Sequence, residues 1–143
     1  MLLPVAQRSV SVMTGKETED NVKRINDYLS KCKWMDFDFV NIGCDRIKII
    51  GSMDLSWENY HSIEIEFESP EYISALLWGF SLRKDRPFIE LESKDTVLND
   101  LGLSLAQDDH CFKINVEDFD KLPVKIIAKN IRFIVLKQPD EGL

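Results

Sequence analysis

The segment Ile63-Glu64-Ile65-Glu66-Phe67-Glu68 alternates apolar and acidic residues without a break. A helix would scatter this pattern around its circumference. A β-strand, whose successive side chains point to opposite faces, sorts it into one apolar face and one acidic face. The segment therefore calls for a sheet with one side in a core and the other in water. The same period of two recurs along the chain. Met35, Phe37 and Phe39 alternate with Asp36 and Asp38, and Ile47 and Ile49 alternate with Arg46 and Lys48. Phe112, Ile114 and Val116 alternate with Lys113 and Asn115, and Pro87 to Glu92 reads as a further strand. Asn41 to Asp45 and Gly51 to Asp54 punctuate as turns.

Val124 to Leu136 is apolar enough for strand, but its parity slips. Val124, Ile126 and Ala128 lie on one parity, and Ile131, Phe133 and Val135 on the other. Either a bulge or a break at Lys129-Asn130 accounts for this, and a break is the preferred reading. Tyr72 to Phe80 fits a helix through Ile73, Leu76, Leu77 and Phe80, or a buried strand through its continuous apolarity. Asp95 to Leu105 suggests one or two helical turns interrupted by Gly102.

One segment departs from the period of two. Val22, Ile25, Leu29 and Cys32 recur at spacings of three and four, which predicts an amphipathic helix from about Thr18 to Lys33. Glu17, Glu19 and Asp20 suit its positive end. Thr14-x-x-Glu17 has capping-box form and would start the helix slightly earlier. Runs of strands joined by short turns argue against a doubly wound parallel sheet. The expected fold is α+β: the N-terminal helix packed on a mainly antiparallel sheet of about six or seven strands, curved or sandwich-like. All 143 residues read as a single domain. Residues 1–13 read as a disordered leader, an appended remnant or a strand that joins the sheet, and residues 138–143 as a frayed tail.

The formal net charge of −7 disfavours phosphate backbones and anionic membranes. No apolar run reaches the roughly 18 residues of a membrane span. Neither a nucleic-acid nor a membrane partner is therefore expected. Cys32, Cys44 and Cys111 are an odd set without CxxC spacing, which suggests reduced thiols and a cytoplasmic protein, with one bridge plus one free thiol as the other option.

Signs of chemistry are sparse. Asp108-Asp109-His110-Cys111 gathers potential metal ligands, but consecutive strand residues alternate in direction and would not converge on one ion. No metal or cofactor is expected. His61 shares parity with Ile63 and Ile65, so a regular strand would turn it to the core side, away from Glu64. Glu64, Glu66 and Glu68 lie about 7 Å apart in succession, within the range of glycosidase carboxylates. An exposed face, however, offers no desolvation to raise one pKa. Nucleophile elbows and phosphate-cradling loops are absent from the sequence. The chain does not read as an enzyme.

Charge segregation is what remains. Between Lys48 and Arg83 stand six carboxylates (Asp54, Glu58, Glu64, Glu66, Glu68 and Glu71) and no lysine or arginine. Trp57, Tyr60, Tyr72 and Trp78 lie in the same stretch. From Lys121 to Lys137 the balance inverts, with Lys121, Lys125, Lys129, Arg132 and Lys137 and no acid. If the basic strands do not neutralise the acidic row, it can receive a basic protein. Glu64, Glu66, Glu68, Asp54 and Glu58 would then supply the charge, and Trp57, Tyr60 and Tyr72 the anchors. The leading expectation is a small acidic protein-binding domain of the immunity-protein kind, which neutralises a basic partner by covering its active surface. The alternative is a small-molecule-binding domain or enzyme with a pocket between the helix and a curved sheet. A homo-oligomer joined around Leu76 to Phe80 is a third.

Overall fold

The computed structural model describes residues 14–53, 61–75, 79–117 and 122–139. The expectations for residues 1–13, for Asp54, Trp57, Glu58 and Tyr60, for Leu76 to Trp78 and for the end of the tail lie outside them. In chain order the elements are α1 (Gly15–Ser30), β1 (Asp36–Ile42), β2 (Arg46–Ser52), β3 (Ile63–Glu68), β4 (Tyr72–Ser74), β5 (Phe80–Ser81), β6 (Ile89–Glu92), α2 (Lys94–Leu101), β7 (His110–Ile114), β8 (Val124–Ala128) and β9 (Asn130–Val135). The strands form two sheets, β5-β1-β2-β3-β9 and β4-β8-β7-β6. Every pairing is antiparallel. The fold is thus α+β and mainly sheet, in sandwich form. Seven strands have four or more residues, and β4 and β5 add short pairings of three and two.

The inner faces follow the period of two. Ile47, Ile49, Ile63, Ile65, Phe67 and Ile131 from the first sheet are 2% exposed or less, as are Phe112, Ile114 and Ile126 from the second. The Phe67 and Phe112 rings meet edge-on across the interface, with centroids 5.2 Å apart. Phe37 stacks on Phe80 and Phe88, at 5.3 and 4.5 Å. Gly51 faces Phe37 and Met35 so closely that a Cβ there would lie 2.5 Å from the Met35 sulfur. The glycine is what lets those two side chains fill this part of the core.

The slip in parity at Lys129 marks a change of sheet. Ala128 pairs with His110 in the second sheet, and Asn130 pairs with Glu68 in the first. Lys129 alone spans the two, its N–H donating to the Glu68 carbonyl at 3.1 Å. Because each sheet buries the opposite side of the strand, the apolar parity inverts as the chain crosses.

The helix starts at the expected cap. Thr14 Oγ1 accepts from the Glu17 N–H at 3.1 Å and donates to Glu17 Oε1 at 3.3 Å. Val22, Ile25, Leu29 and Cys32 are buried as their spacing predicts, joined by Tyr28 and Thr18. Each fully buried large apolar side chain contributes about 1.5–3 kcal/mol of gross stabilisation. Where α1 lies is less obvious from the sequence. It closes the side of the sandwich where edge strand β9 of one sheet and edge strand β6 of the other would be open. Asn21 Nδ2 donates to the Ile131 carbonyl on β9 at 2.9 Å. Asn26 makes two bonds on β6, donating to the Ile89 carbonyl and accepting from its N–H, both at 2.9 Å. Two asparagines therefore satisfy edge groups that a further strand would otherwise take, which also protects those edges from foreign pairing. Tyr28 OH secures the chain beyond β9 by donating to the Lys137 carbonyl at 2.7 Å.

Candidate functional site

The outer face of the first sheet carries the acidic row. Glu64, Glu66 and Glu68 all project from it, half-buried, as their parity predicts. Strand β3 is central, flanked by β2 and β9, and both neighbours are basic on this face. Glu66 lies between Lys48 and Arg132 in register, while Glu68 lies between Arg46 and Asn130. The ion pairs close on the diagonals: Lys48 to Glu64 at 2.5 Å, Arg46 to Glu66 at 3.2 Å and Arg132 to Glu68 at 2.8 Å. Diagonal neighbours in a sheet are within reach of long side chains. Asn130 adds a bond to Glu68 at 3.1 Å. Each glutamate of the row thus has its own cation within the fold.

Strands β2 and β9 flank this row, and β8 does not. Lys125 lies in the other sheet, bonded to Glu92 at 3.0 Å and Asp100 at 3.4 Å. Lys129 binds Asp109 at 3.0 Å. Strand β8 is interior, between β4 and β7.

His61 lies at the strand end, partly buried, and departs from what a regular strand would give. It does not turn to the core. Its Nε2 lies 2.6 Å from Glu64 Oε2. Parity extends only as far as the strand, which begins at Ile63, and the chain bends at Ser62, whose N–H donates to the Gly51 carbonyl. Glu64 therefore sits between Lys48 and His61. These bonds, Lys48 first and His61 second, hold its carboxyl below the usual carboxylate range.

Tyr72 is on β4 of the second sheet. It packs beside Val97, Cys111 and Ile127, half-buried under α2. The fold does not bring it to the glutamate row.

Strand β1 carries two acids that sequence reasoning passed over. Asp36 lies between Ser52 and Ser81 in register and accepts from Ser81 Oγ at 2.8 Å. Asp38 lies opposite Ile50 and is exposed. Neither has an ion-pair partner among the described residues. Together with Gly79 and Phe80 they line a hollow of about 340 Å³. The only signal available in the sequence was Asp-x-Asp on one parity. That signal gains meaning once the register shows serine and isoleucine, not lysine, across from them.

A larger open groove of about 510 Å³ runs between α1 and the first sheet, lined by Asn21, Arg24, Lys48, Glu64, Arg132 and Ile134 among others. The Arg24 guanidinium lies over the Phe133 ring, 5.2 Å from its centroid. Among the described residues no group of three or more His, Cys, Asp or Glu side chains is arranged to hold a metal ion. In the Asp108–Cys111 segment, Asp109 turns to Lys129, His110 is half-buried and Cys111 is fully buried. Burial lowers the His110 pKa against the opposing charges of Asp109, Asp108 and Glu19. All three cysteines are free. No helix among the described residues is long and apolar enough to cross a membrane. Comparison with protein-family models, curated proteins and solved structures gives no match to this chain.

Proposed function

We propose that the chain is a small acidic protein-binding domain whose partner is a basic protein, acting as an immunity-type inhibitor that covers the partner's working surface. The observation that carries this reading is the contrast between the two acidic groups of the first sheet. Glu64, Glu66 and Glu68 are neutralised from within, whereas Asp36 and Asp38 face no cation among the described residues. The binding role therefore shifts from the centre of the sheet to its β1–β5 side. Asp36 pairs with Ser52, close to the end of β2. Acids on this side would steer a cationic partner.

The test is affinity capture from the native host, then calorimetric titration of the captured protein against wild type and the Asp36→Lys/Asp38→Lys double variant. The expected partner is strongly basic, binds more weakly as salt rises, and loses at least about tenfold in affinity to the double variant. An acidic partner, or equal binding by both proteins, would refute the reading.

The groove beside α1 favours a second reading, a small polar ligand. Its volume falls in the range of ligand sites. Arg24 meets an aromatic face there and no carboxylate among the described residues. Ligand-dependent thermal shifts abolished by Arg24→Ala would support that reading over the first.

A further inference from the structure

Strand β5 covers only the first two residues of β1, Asp36 and Phe37. From Asp38 to Ile42 the outer edge of β1 pairs with no strand among the described residues. The Met35 carbonyl accepts from the Leu82 N–H at 2.8 Å, and a Cβ on Gly79 would lie 2.6 Å from the Phe37 carbonyl oxygen. Alternate residues of an antiparallel strand turn both backbone groups to the same side. The N–H and C=O of Phe39 therefore point outward past the end of β5, and no described residue bonds them. On the core side of the sheet, Phe39 lies opposite Ile49 and Ile42 opposite Ile47. Ile47 and Ile49 are buried, but Ile42 is 45% exposed and Phe39 only half-buried, because no strand stands beside them. On the solvent side, Asp36 and Asp38 face no cation among the described residues.

We propose that the β1 edge from Asp38 to Ile42 takes up an extended segment of the partner as an added strand, one that alternates lysine or arginine with apolar residues. This deepens the basic-partner reading above and rests on it. An added strand sets alternate side chains on opposite faces. Its basic residues lie beside Asp38, with Asp36 on the diagonal, and its apolar residues cover Phe39 and Ile42. Main-chain bonds to Phe39 supply the attachment and the two rows of side chains supply the selectivity. A second copy of this chain fits the edge badly, because its own β1 would bring two more uncompensated acids to the same face. The register of β1 on β2 shifts at Val40, which is an extra residue in the ladder. Such a bulge limits indiscriminate pairing, so the edge admits a short segment rather than an open-ended sheet.

The probe is a short synthetic peptide of alternating lysine and valine, titrated into the full chain and followed by amide hydrogen exchange. Well above its Kd, the peptide should slow exchange at Phe39 by at least about tenfold. Val135, on the far edge strand of the sheet, should not change. An analogue N-methylated at every residue keeps the charge but has no backbone donors, and should bind at least about tenfold more weakly. Equal binding of the two peptides overturns strand addition while leaving the basic-partner reading standing. No protection of Phe39 by the parent peptide overturns it as well, and so does equal protection by a peptide of alternating glutamate and valine. Protection of Phe39 in the free chain that grows with chain concentration would identify a second copy as the occupant and likewise overturn the proposal. The basic-partner reading stands or falls separately, on the titration of the captured protein.

Discussion

Asn26→Ala should detach α1 from one of the two edges it closes. Ile89 is 1% exposed, and its N–H and C=O both depend on the Asn26 amide, each at 2.9 Å. Each intramolecular hydrogen bond contributes about 1 kcal/mol net, and a buried group left without a partner costs about 1–3 kcal/mol. Asn26 is half-buried, so water recovers part of the loss. The expected destabilisation is about 2–3 kcal/mol, a large share of the 5–15 kcal/mol typical of a domain. Urea denaturation with an unchanged m-value measures it. Amide exchange at Ile89 should quicken more than at Ile131, whose carbonyl is bonded by Asn21. Asn26→Asp is the sharper variant. It keeps the acceptor for the N–H but sets a second carboxylate oxygen against the Ile89 carbonyl. It should be as damaging as alanine at pH 7 and partly repaired near pH 3, where the protonated acid can donate. If alanine costs less than about 0.5 kcal/mol, or aspartate behaves like asparagine at pH 7, the edge-capping argument fails.

Gly51→Ala puts a Cβ 2.5 Å from the Met35 sulfur and 2.7 Å from the Phe37 ring. The methionine can yield but the buried phenylalanine cannot, so calorimetry should show a loss of about 1–3 kcal/mol. Glu64, with its pKa lowered, contributes stability that is present above the ordinary carboxylate pKa and lost as pH falls through its own. Glu64→Gln should therefore flatten the acid limb of stability against pH, and an unchanged limb would show that the Lys48 and His61 contacts carry no net energy. Burial, and then the charge of Glu92, push the Cys111 thiol up to about 11. Cys32 is also buried and Cys44 exposed, so a maleimide at pH 7.5 should label one thiol quickly and the other two only on unfolding. Fast labelling of a second thiol would contradict the burial.

The candidate surface was only partly legible in the sequence. The outward direction of Glu64, Glu66 and Glu68 was readable because alternation is a property of one strand. Their neutralisation was not. It depends on Lys48 and Arg46 from the preceding strand and on Arg132, far along the chain, arriving on either side. His61 lies outside that rule for a related reason: alternation holds only within the strand, which begins at Ile63, and Ser62 bends the chain just before it. Asp36 and Asp38 gained importance only when their cross-strand neighbours proved to be Ser52, Ser81 and Ile50. Tyr72 looked like an anchor for the acidic row until the fold put it in the other sheet.

By itself, the sequence determined the elements and their faces. The helix stripe at three and four, the cap at Thr14, the alternating strands and the break near Lys129 are each written within a few adjacent residues. Backbone geometry converts such spacings into direction with little help from the rest of the chain. The tertiary structure decided which strand lies beside which, and with that which charges cancel. It turned the parity slip at Lys129 into a crossing between sheets, and it used Asn21 and Asn26 to close two edges no local pattern had marked. Those outcomes rest on contacts between residues tens of positions apart. They are selected by the joint packing of two sheets and a helix, and no single segment carries that information.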